Sequence, residues 1–308
     1  MNYTPSFCSV CGGPLQHTLS GTNCPQCSVS RSPEDYPVSP PATVTTDTAP
    51  WGFWTGLMVW FVSIVLLIML PLVATLIYAV AFNPRLLGEL ARGVLAKDAV
   101  LVSLVATFGA QVLTLALAWL MVTKAGRRPF FSTLGWNWHP QFRMVHAVGL
   151  TILMFGVALA SGKFLPHKET SLDKVLEMGL AVRVTVAILA TLGAPIVEEV
   201  VYRGILFPAI ERGQSTTVAV IVVTLLFWGV HVSQYWGSMA VLVSVFVLSL
   251  ALTMVRAVTR NLLPCVATHF LFNGVQAVQI ILAPGAAKHA PEPARAALAA
   301  LLRHCGIL

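Results

Sequence analysis

From about position 51 onward, long apolar runs alternate with short polar segments. Each run is close to the twenty residues that an α-helix needs to cross a hydrocarbon core of about 30 Å. The pattern therefore predicts an all-α polytopic transmembrane helix bundle of about seven to eight spans, occupying residues 51–308. The seven predicted spans are Phe53–Ala81, Ala99–Val122, Met144–Gly162, Val184–Ile210, Thr217–Trp236, Met239–Val258 and Leu262–Ala283.

Two details of this pattern stay open. Pro71 lies inside the first predicted span, so we expect that helix to be kinked or interrupted there. The stretch 163–183 is long enough to hold a short additional span, which would bring the number of spans to eight.

The first fifty residues are polar and show none of the order of a cleavable signal peptide. Residues 1–30 contain two Cys-x-x-Cys pairs, and four thiolates at this spacing are typical of a tetrahedral structural Zn²⁺ site. Two disulfides are the alternative, but so short a module has almost no core, which favours metal. The module resembles a zinc ribbon, and residues 31–50 are a Pro-rich linker. The predicted zinc ligands are Cys8, Cys11, Cys24 and Cys27.

Composition agrees with a membrane protein, because 56% of the residues are hydrophobic and only 10% are charged. An ordinary soluble domain has about 25% charged residues. The net charge of +7 is scattered over loops, which favours contact with anionic lipids over nucleic-acid binding. We therefore expect membrane lipids as partners and no nucleic acid.

The predicted loop 123–143 carries four basic residues and no acidic residue, so it should be cytoplasmic. That orientation places the N-terminus in the cytosol, where free thiolates persist. The loop 163–183 also has four basic residues, but three acidic residues accompany them. We expect an integral protein of the cytoplasmic membrane with its N-terminus inside.

Three charged side chains interrupt the fourth predicted span, namely Glu198, Glu199 and Arg203. Charges at that depth cost several kcal/mol each on contested scales, and they usually have a function. Glu199 and Arg203 are four residues apart and can form an ion pair within one helical turn. Glu198 points about 100° away from Glu199 and has no such partner. Glu198 is therefore available for chemistry.

Two histidines and an asparagine lie in later predicted spans. His269 and Asn273 are four residues apart, so they share one helix face. At 1.5 Å per residue, Glu198, His231 and His269 lie roughly 18, 21 and 12 Å from the cytoplasmic ends of their spans. A single histidine is commonly a hydrogen-bonded part of a bundle. Several such groups at similar depth indicate a site instead.

These motifs resemble those of the CAAX-processing and bacteriocin-processing (CPBP, or Abi) intramembrane proteases, which include the type II CAAX prenyl endopeptidases. The resemblance covers about residues 180–283 and rests on Glu-Glu-x-x-x-Arg at 198–203, Phe-x-x-x-His at 227–231 and His-x-x-x-Asn at 269–273. It implies an endopeptidase that cleaves near the C-terminus or membrane end of a protein or peptide.

The resemblance also implies roles for individual residues. Glu198 would be the general base, and His231 would orient the attacking water. His269 and Asn273 would hold the oxyanion or the scissile carbonyl. Glu199 and Arg203 would be structural.

Other interpretations remain at this stage. Two histidines and a glutamate also match the ligand set of a catalytic divalent metal, with Glu199 as base if Glu198 binds the metal. A proton-coupled transporter would place similar groups inside spans. A non-catalytic immunity or scaffold protein would keep the same fold. For the substrate, the resemblance allows a prenylated CAAX protein, a bacteriocin precursor or a C-terminal sorting segment.

Overall fold

The computed structural model describes residues 14, 16–18, 21–24, 30–31, 50–166 and 168–282. The chain divides into two units, Met1–Thr48 and Ala49–Leu308.

The first unit contains a three-stranded antiparallel sheet in the order β1-β2-β3. Its strands are β1 (Gln16–Thr18), β2 (Gly21–Asn23) and β3 (Ser30–Arg31). Cys24 follows β2 directly and is fully buried. The other three predicted zinc ligands lie outside the described residues, so the zinc site stays a prediction.

The second unit is helical, as the apolar runs predict. Two π-helical segments, Leu189–Gly193 and Glu199–Leu206, join α7, α8 and α9 into one continuous helix, Leu180–Gly213, which we call the glutamate helix. The helices are α1 (Phe53–Ala81), α2 (Arg85–Ala91), α3 (Lys97–Thr123), α4 (Phe130–Thr133), α5 (Met144–Phe164), α6 (Ser171–Leu176), α7 (Leu180–Ile188), α8 (Ala194–Glu198), α9 (Phe207–Gly213), α10 (Thr216–Val232), α11 (Met239–Thr259) and α12 (Leu263–Leu282).

Within the described residues, six helices are long and apolar enough to cross a membrane, and α10 is a shorter apolar helix of 17 residues. The all-α polytopic bundle is therefore confirmed. The predicted end of the fifth span at Trp236 is wrong, because α10 stops at Val232 and a turn with Gly237 at φ +96° follows.

Two further details of the spans follow from the structure. The helix α1 runs through Pro71 without interruption, since membrane helices tolerate proline where neighbouring groups satisfy the freed carbonyl. A kink at Pro71 stays a prediction. The stretch 163–183 contributes only the six residues of α6 besides the ends of α5 and the glutamate helix. An α-helix of that length rises about 9 Å and cannot cross the bilayer.

The glutamate helix lies at the centre of the bundle. All eight residues of its second π segment are buried. The indole nitrogen of Trp51 donates to the carbonyl of Ile205 at 3.0 Å. A methyl group at Gly56 would come within 2.6 Å of Ala209 Cβ, so the missing side chain lets α1 pack closely here. This packing holds the charged turn away from lipid.

Successive spans reverse direction, so their connections fall at two ends of the bundle. One end, the Gly135 face, holds the loop 124–143 and the α11–α12 turn, joined by a hydrogen bond from Leu262 N to Gly135 O at 2.7 Å. The other end, the α6 face, holds α6 and the α10–α11 turn. There a side chain at Gly237 would contact Lys168 Cβ at 3.6 Å.

Candidate active site

The ion pair expected from the spacing of Glu199 and Arg203 is present inside the protein. Arg203 Nη1 donates to Glu199 Oε1 at 3.0 Å, and both side chains are 0% exposed. Opposite charges at this distance compensate one another where water cannot. The pair therefore keeps both charged groups tolerable at the centre of the bundle.

Arg203 is also anchored to α11, which the sequence did not predict. Its Nη2 donates to the carbonyl of Ser249 at 2.9 Å, and its Nε donates to Thr253 Oγ1 at 3.2 Å. The guanidinium lies 4.6 Å from the centroid of the Phe227 ring, a geometry that favours a cation. These contacts leave Arg203 one orientation, and Arg203 in turn orients Glu199.

His269 lies between the two glutamates and is only 2% exposed. Its Nδ1 donates to Glu199 Oε1 at 2.8 Å, and its Nε2 lies 3.8 Å from Glu198 Oε2. A carboxylate only accepts hydrogen bonds, so the short contact places a proton on Nδ1. Glu199 thus has a role beyond pairing with Arg203, because it holds the His269 ring toward Glu198.

Glu198 is the accessible member of the pair of glutamates. Its side chain is 23% exposed, whereas Glu199 is fully buried. The expectation that one carboxylate is paired while the other faces an open space agrees with this geometry.

His231 lies one residue from the C-terminal end of α10, not near the middle of a span as the longer predicted helix placed it. Its Nδ1 donates to the carbonyl of Phe227 at 2.7 Å, which leaves Nε2 as the free ring nitrogen. Its ring stacks on Phe227 at 4.7 Å. His231 is therefore held by its own helix, with Nε2 free for a ligand.

Tyr235 extends this aromatic stack beyond the end of α10. Its ring centroid lies 6.3 Å from that of His231, and the two planes differ by 6°. Burial, and then the negative charges of Glu198 and Asp173, raise the pKa of Tyr235 to about 12. The phenol is therefore neutral at pH 7.

Asn273 is fixed to the first π segment of the glutamate helix. Its Nδ2 donates to the carbonyl of Ala190 at 2.8 Å. An α-helical carbonyl is normally taken by an amide four residues later, but π segments release such groups and occur often at functional sites. Asn273 therefore keeps one amide hydrogen and its Oδ1 for other partners.

A cavity of about 790 Å³ brings the site residues together. Its lining includes Glu198, His231, His269 and Asn273. Most of its other lining residues are apolar, as in most ligand pockets. All four residues expected to take part in catalysis therefore face one space, while Glu199 and Arg203 lie behind it.

The cavity opens toward the α6 face. Each long helix around it, α1 apart, contributes lining residues from the half nearer that face. Asp173 and Glu177 from the α6 segment lie at its rim. Examples from the spans are Leu104 of α3, Ala158 of α5, Arg183 of the glutamate helix, Val241 of α11 and Gln279 of α12. The mouth thus lies at the opposite end of the bundle from the loop 124–143.

The donor types of a metal site are present, but their arrangement does not form one. Among residues 50–166 and 168–282, no three His, Cys, Asp or Glu side chains are grouped so that they could hold a metal ion. Nδ1 of His231 and Nδ1 of His269 are both engaged, as is also usual in metal-binding histidines, and each Nε2 stays open. Because the described side chains form no such group of three, we assign a metal ion no step.

Several residues of the site carry no motif. Ser249 and Thr253 look like ordinary small residues of an apolar span, although their i,i+4 spacing puts both hydroxyls on one face. Gln111 is the lone strong polar group of the second predicted span, and that isolation is the signal that could have identified it.

A buried histidine between two glutamates lies beside a cavity inside a membrane-spanning bundle, an arrangement that can activate a water molecule. Residues 180–275 match the family model described as type II CAAX prenyl endopeptidase Rce1-like. This segment includes the glutamate helix, α10, α11 and the site residues of α12. No curated protein and no solved structure matches the chain. The chain is an integral membrane protein, and its residues 180–275 are similar to the type II CAAX prenyl endopeptidases that this model describes.

Proposed function

We propose that this protein is an intramembrane endopeptidase that hydrolyses a peptide bond near the C-terminus or membrane end of its substrate, with Glu198 activating the water. The observation that carries the proposal is the placement of His269 between Glu199 and Glu198 at the wall of the cavity. The family match supports the class of reaction.

The gap between His269 and Glu198 suits the attacking water. At 3.8 Å the two side chains are too far apart for a direct hydrogen bond, but one water can bridge such a distance. Glu198 takes a proton from this water as a general base. The water oxygen then bonds to the carbonyl carbon of the substrate, and the carbonyl oxygen becomes an oxyanion.

In this proposal two donors stabilise that oxyanion. Asn273 has one amide hydrogen left after its bond to Ala190, and a protonated His269 donates from Nε2 while Nδ1 stays on Glu199. Fixed donors in a site that excludes water stabilise developing charge strongly. His231, whose Nε2 is free, orients the water. The C–N bond then breaks, and the proton held by Glu198 passes to the leaving amine.

Lipid and a protein or peptide substrate are the partners that this chemistry needs. We place the protein in the cytoplasmic membrane with its N-terminus inside, because the loop 124–143 is basic and has no acid. The substrate belongs to one of three classes: prenylated CAAX proteins, bacteriocin precursors or C-terminal sorting segments. A structural zinc ion in the N-terminal unit would serve stability or docking.

The test replaces Glu198 by glutamine, which keeps the shape of the side chain but removes the base. The probe is a fluorogenic prenylated Cys-a-a-X peptide in detergent micelles, with mass spectrometry to identify the new C-terminus. Turnover should fall by about 10²–10⁴-fold, the usual contribution of general-base catalysis.

Glu177→Gln is the matched control, because Glu177 is an exposed carboxylate at the rim of the same cavity. It should keep turnover within about twofold of wild type, as expected of a surface change away from the reacting atoms. Near-normal cleavage by Glu198→Gln would reject the assignment of the base. If the wild-type protein left a prenylated Cys-a-a-X peptide, a bacteriocin-precursor peptide and a sorting-segment peptide all intact, a non-catalytic protein of the same fold would be favoured.

A further inference from the structure

Gln111 is a cavity residue that the proposed reaction does not use. It belongs to α3, is only 6% exposed, and lines the same cavity as Glu198, His269 and Asn273. Position 111 lies outside the segment 180–275 that matches the family model. The role of Gln111 must therefore come from its own surroundings.

The side-chain oxygen of Gln111 is a buried acceptor without a donor. Oε1 has no hydrogen-bond partner among the described residues. Buried polar atoms are usually paired, because an unpaired one loses its bonds to water and gains nothing in return. Gln111 lines the cavity, and the terminal torsion of a glutamine side chain is soft, so a rotation of the amide presents this acceptor to a ligand that can donate.

The side chain of Gln111 packs closely against the backbone of the glutamate helix at Gly193. A methyl group at Gly193 would come within 2.1 Å of Gln111 Oε1, so the amide rests directly against the backbone of this glycine. Gly193 ends the π segment that Asn273 binds through Ala190. The same segment leads directly into α8, which ends at Glu198. Gln111 and Asn273 thus flank one short stretch of backbone next to the general base.

We propose that Gln111 is a substrate-positioning residue whose Oε1 accepts a hydrogen bond from a backbone N–H of the peptide substrate close to the scissile bond. The inference rests on the proposed function. An extended peptide presents one N–H for each residue other than proline, and inside a membrane such groups need protein acceptors. Gln111 Oε1, once turned into the cavity, is such an acceptor in the wall that also holds Glu198.

The experiment combines a protein change with a matched change in the substrate. Gln111→Met keeps the length of the side chain but removes the acceptor. With the prenylated Cys-a-a-X peptide, KM should rise about 5–15-fold, as for loss of one hydrogen bond, while kcat stays within about twofold. The peptide is then made with a single ester in place of one amide next to the scissile bond. At the position whose N–H donates to Gln111, the ester removes that donor. With this peptide, wild type and Gln111→Met should have the same KM.

Gln279→Met is the control, because Gln279 lines the cavity near the end of α12. One ester should abolish the KM difference between wild type and Gln111→Met. The same ester should leave any KM difference between wild type and Gln279→Met unchanged. Equal KM values for wild type and Gln111→Met on the all-amide peptide would overturn the inference. A difference that persists with every ester would also overturn it, and would assign the acceptor to water.

A second variant covers the case in which Gln111→Met does not fold. Gln111→Cys in a Glu198→Gln background should form a disulfide with a peptide cysteine within about two residues of the scissile bond, the reach of a short side chain in an extended peptide. Cross-linking only to distant positions would refute the placement. Failure of the wild-type protein to cleave a peptide of any of the three substrate classes would instead refute the proposed function, and the inference with it.

Discussion

The buried ion pair between Glu199 and Arg203 should be worth far more than an exposed one. Glu199→Gln leaves the Arg203 cation fully buried, with hydroxyl and carbonyl partners but no opposite charge. Removing one partner of a buried pair costs about 3–5 kcal/mol. The comparison is Glu211→Gln, whose partner Arg260 is 58% exposed, and exposed pairs contribute about 0–1 kcal/mol.

A double-mutant cycle separates the interaction from the individual side chains. Arg203→Met removes the cation, and the hydroxyls of Ser249 and Thr253 keep other acceptors, the carbonyls of Thr224 and Ser249. Glu199→Gln with Arg203→Met therefore leaves no unpaired charge. It should cost less than the sum of the two single changes, by about 0.5–3 kcal/mol.

The assay is reversible unfolding in mixed micelles, followed by helical circular dichroism as a function of denaturing detergent. The reasoning fails if Glu199→Gln costs no more than Glu211→Gln, or if the single effects simply add. A folded double variant with low turnover would support the second role of Glu199, because the substituted amide would hold the His269 ring without a negative charge.

Two further predictions concern the zinc content of the protein and its orientation in the membrane. Metal analysis of the full chain should find one zinc ion. A chain that starts at Ala49 should keep cleaving the probe after treatment with a chelator. If the chelator abolished cleavage and added zinc restored it, a catalytic metal would be established. Cysteines introduced at Ser132 and Ser171 should react with a membrane-impermeant reagent from opposite sides, with Ser171→Cys outside; labelling of both from one side would contradict the helix order. The thiols expected to bind the zinc are those of Cys8, Cys11, Cys24 and Cys27.

Local relations within the site were predictable from the sequence. The Glu199–Arg203 pair depends on a spacing of four residues in one helix, and the shared face of His269 and Asn273 depends on the same geometry. The spans were predictable because each apolar run must lie in lipid or in a protein core. Neither conclusion needs knowledge of which helices touch.

Relations between helices were not predictable. The contact of His269 with Glu199 joins residues seventy positions apart, and nothing in either motif specifies it. The π segments depend on packing that satisfies their released carbonyls, as Asn273 does for Ala190. The true end of α10 moved His231 from mid-span to the helix end, because a turn replaces the last four predicted residues.

The position of the cavity mouth connects membrane orientation to the choice of substrate. The mouth lies at the α6 face and the basic loop 124–143 lies at the other end. A cytoplasmic loop therefore directs the mouth to the outside of the cell. A substrate would then have to present its cleavage site from that side, as an exported protein with a sorting segment does. A prenylated protein made in the cytosol requires the reverse orientation, with the α6 face inside. Basic residues alone do not decide the orientation of the protein, because the segment 163–183 also carries four basic residues. Labelling at Ser171 consequently separates these two substrate classes.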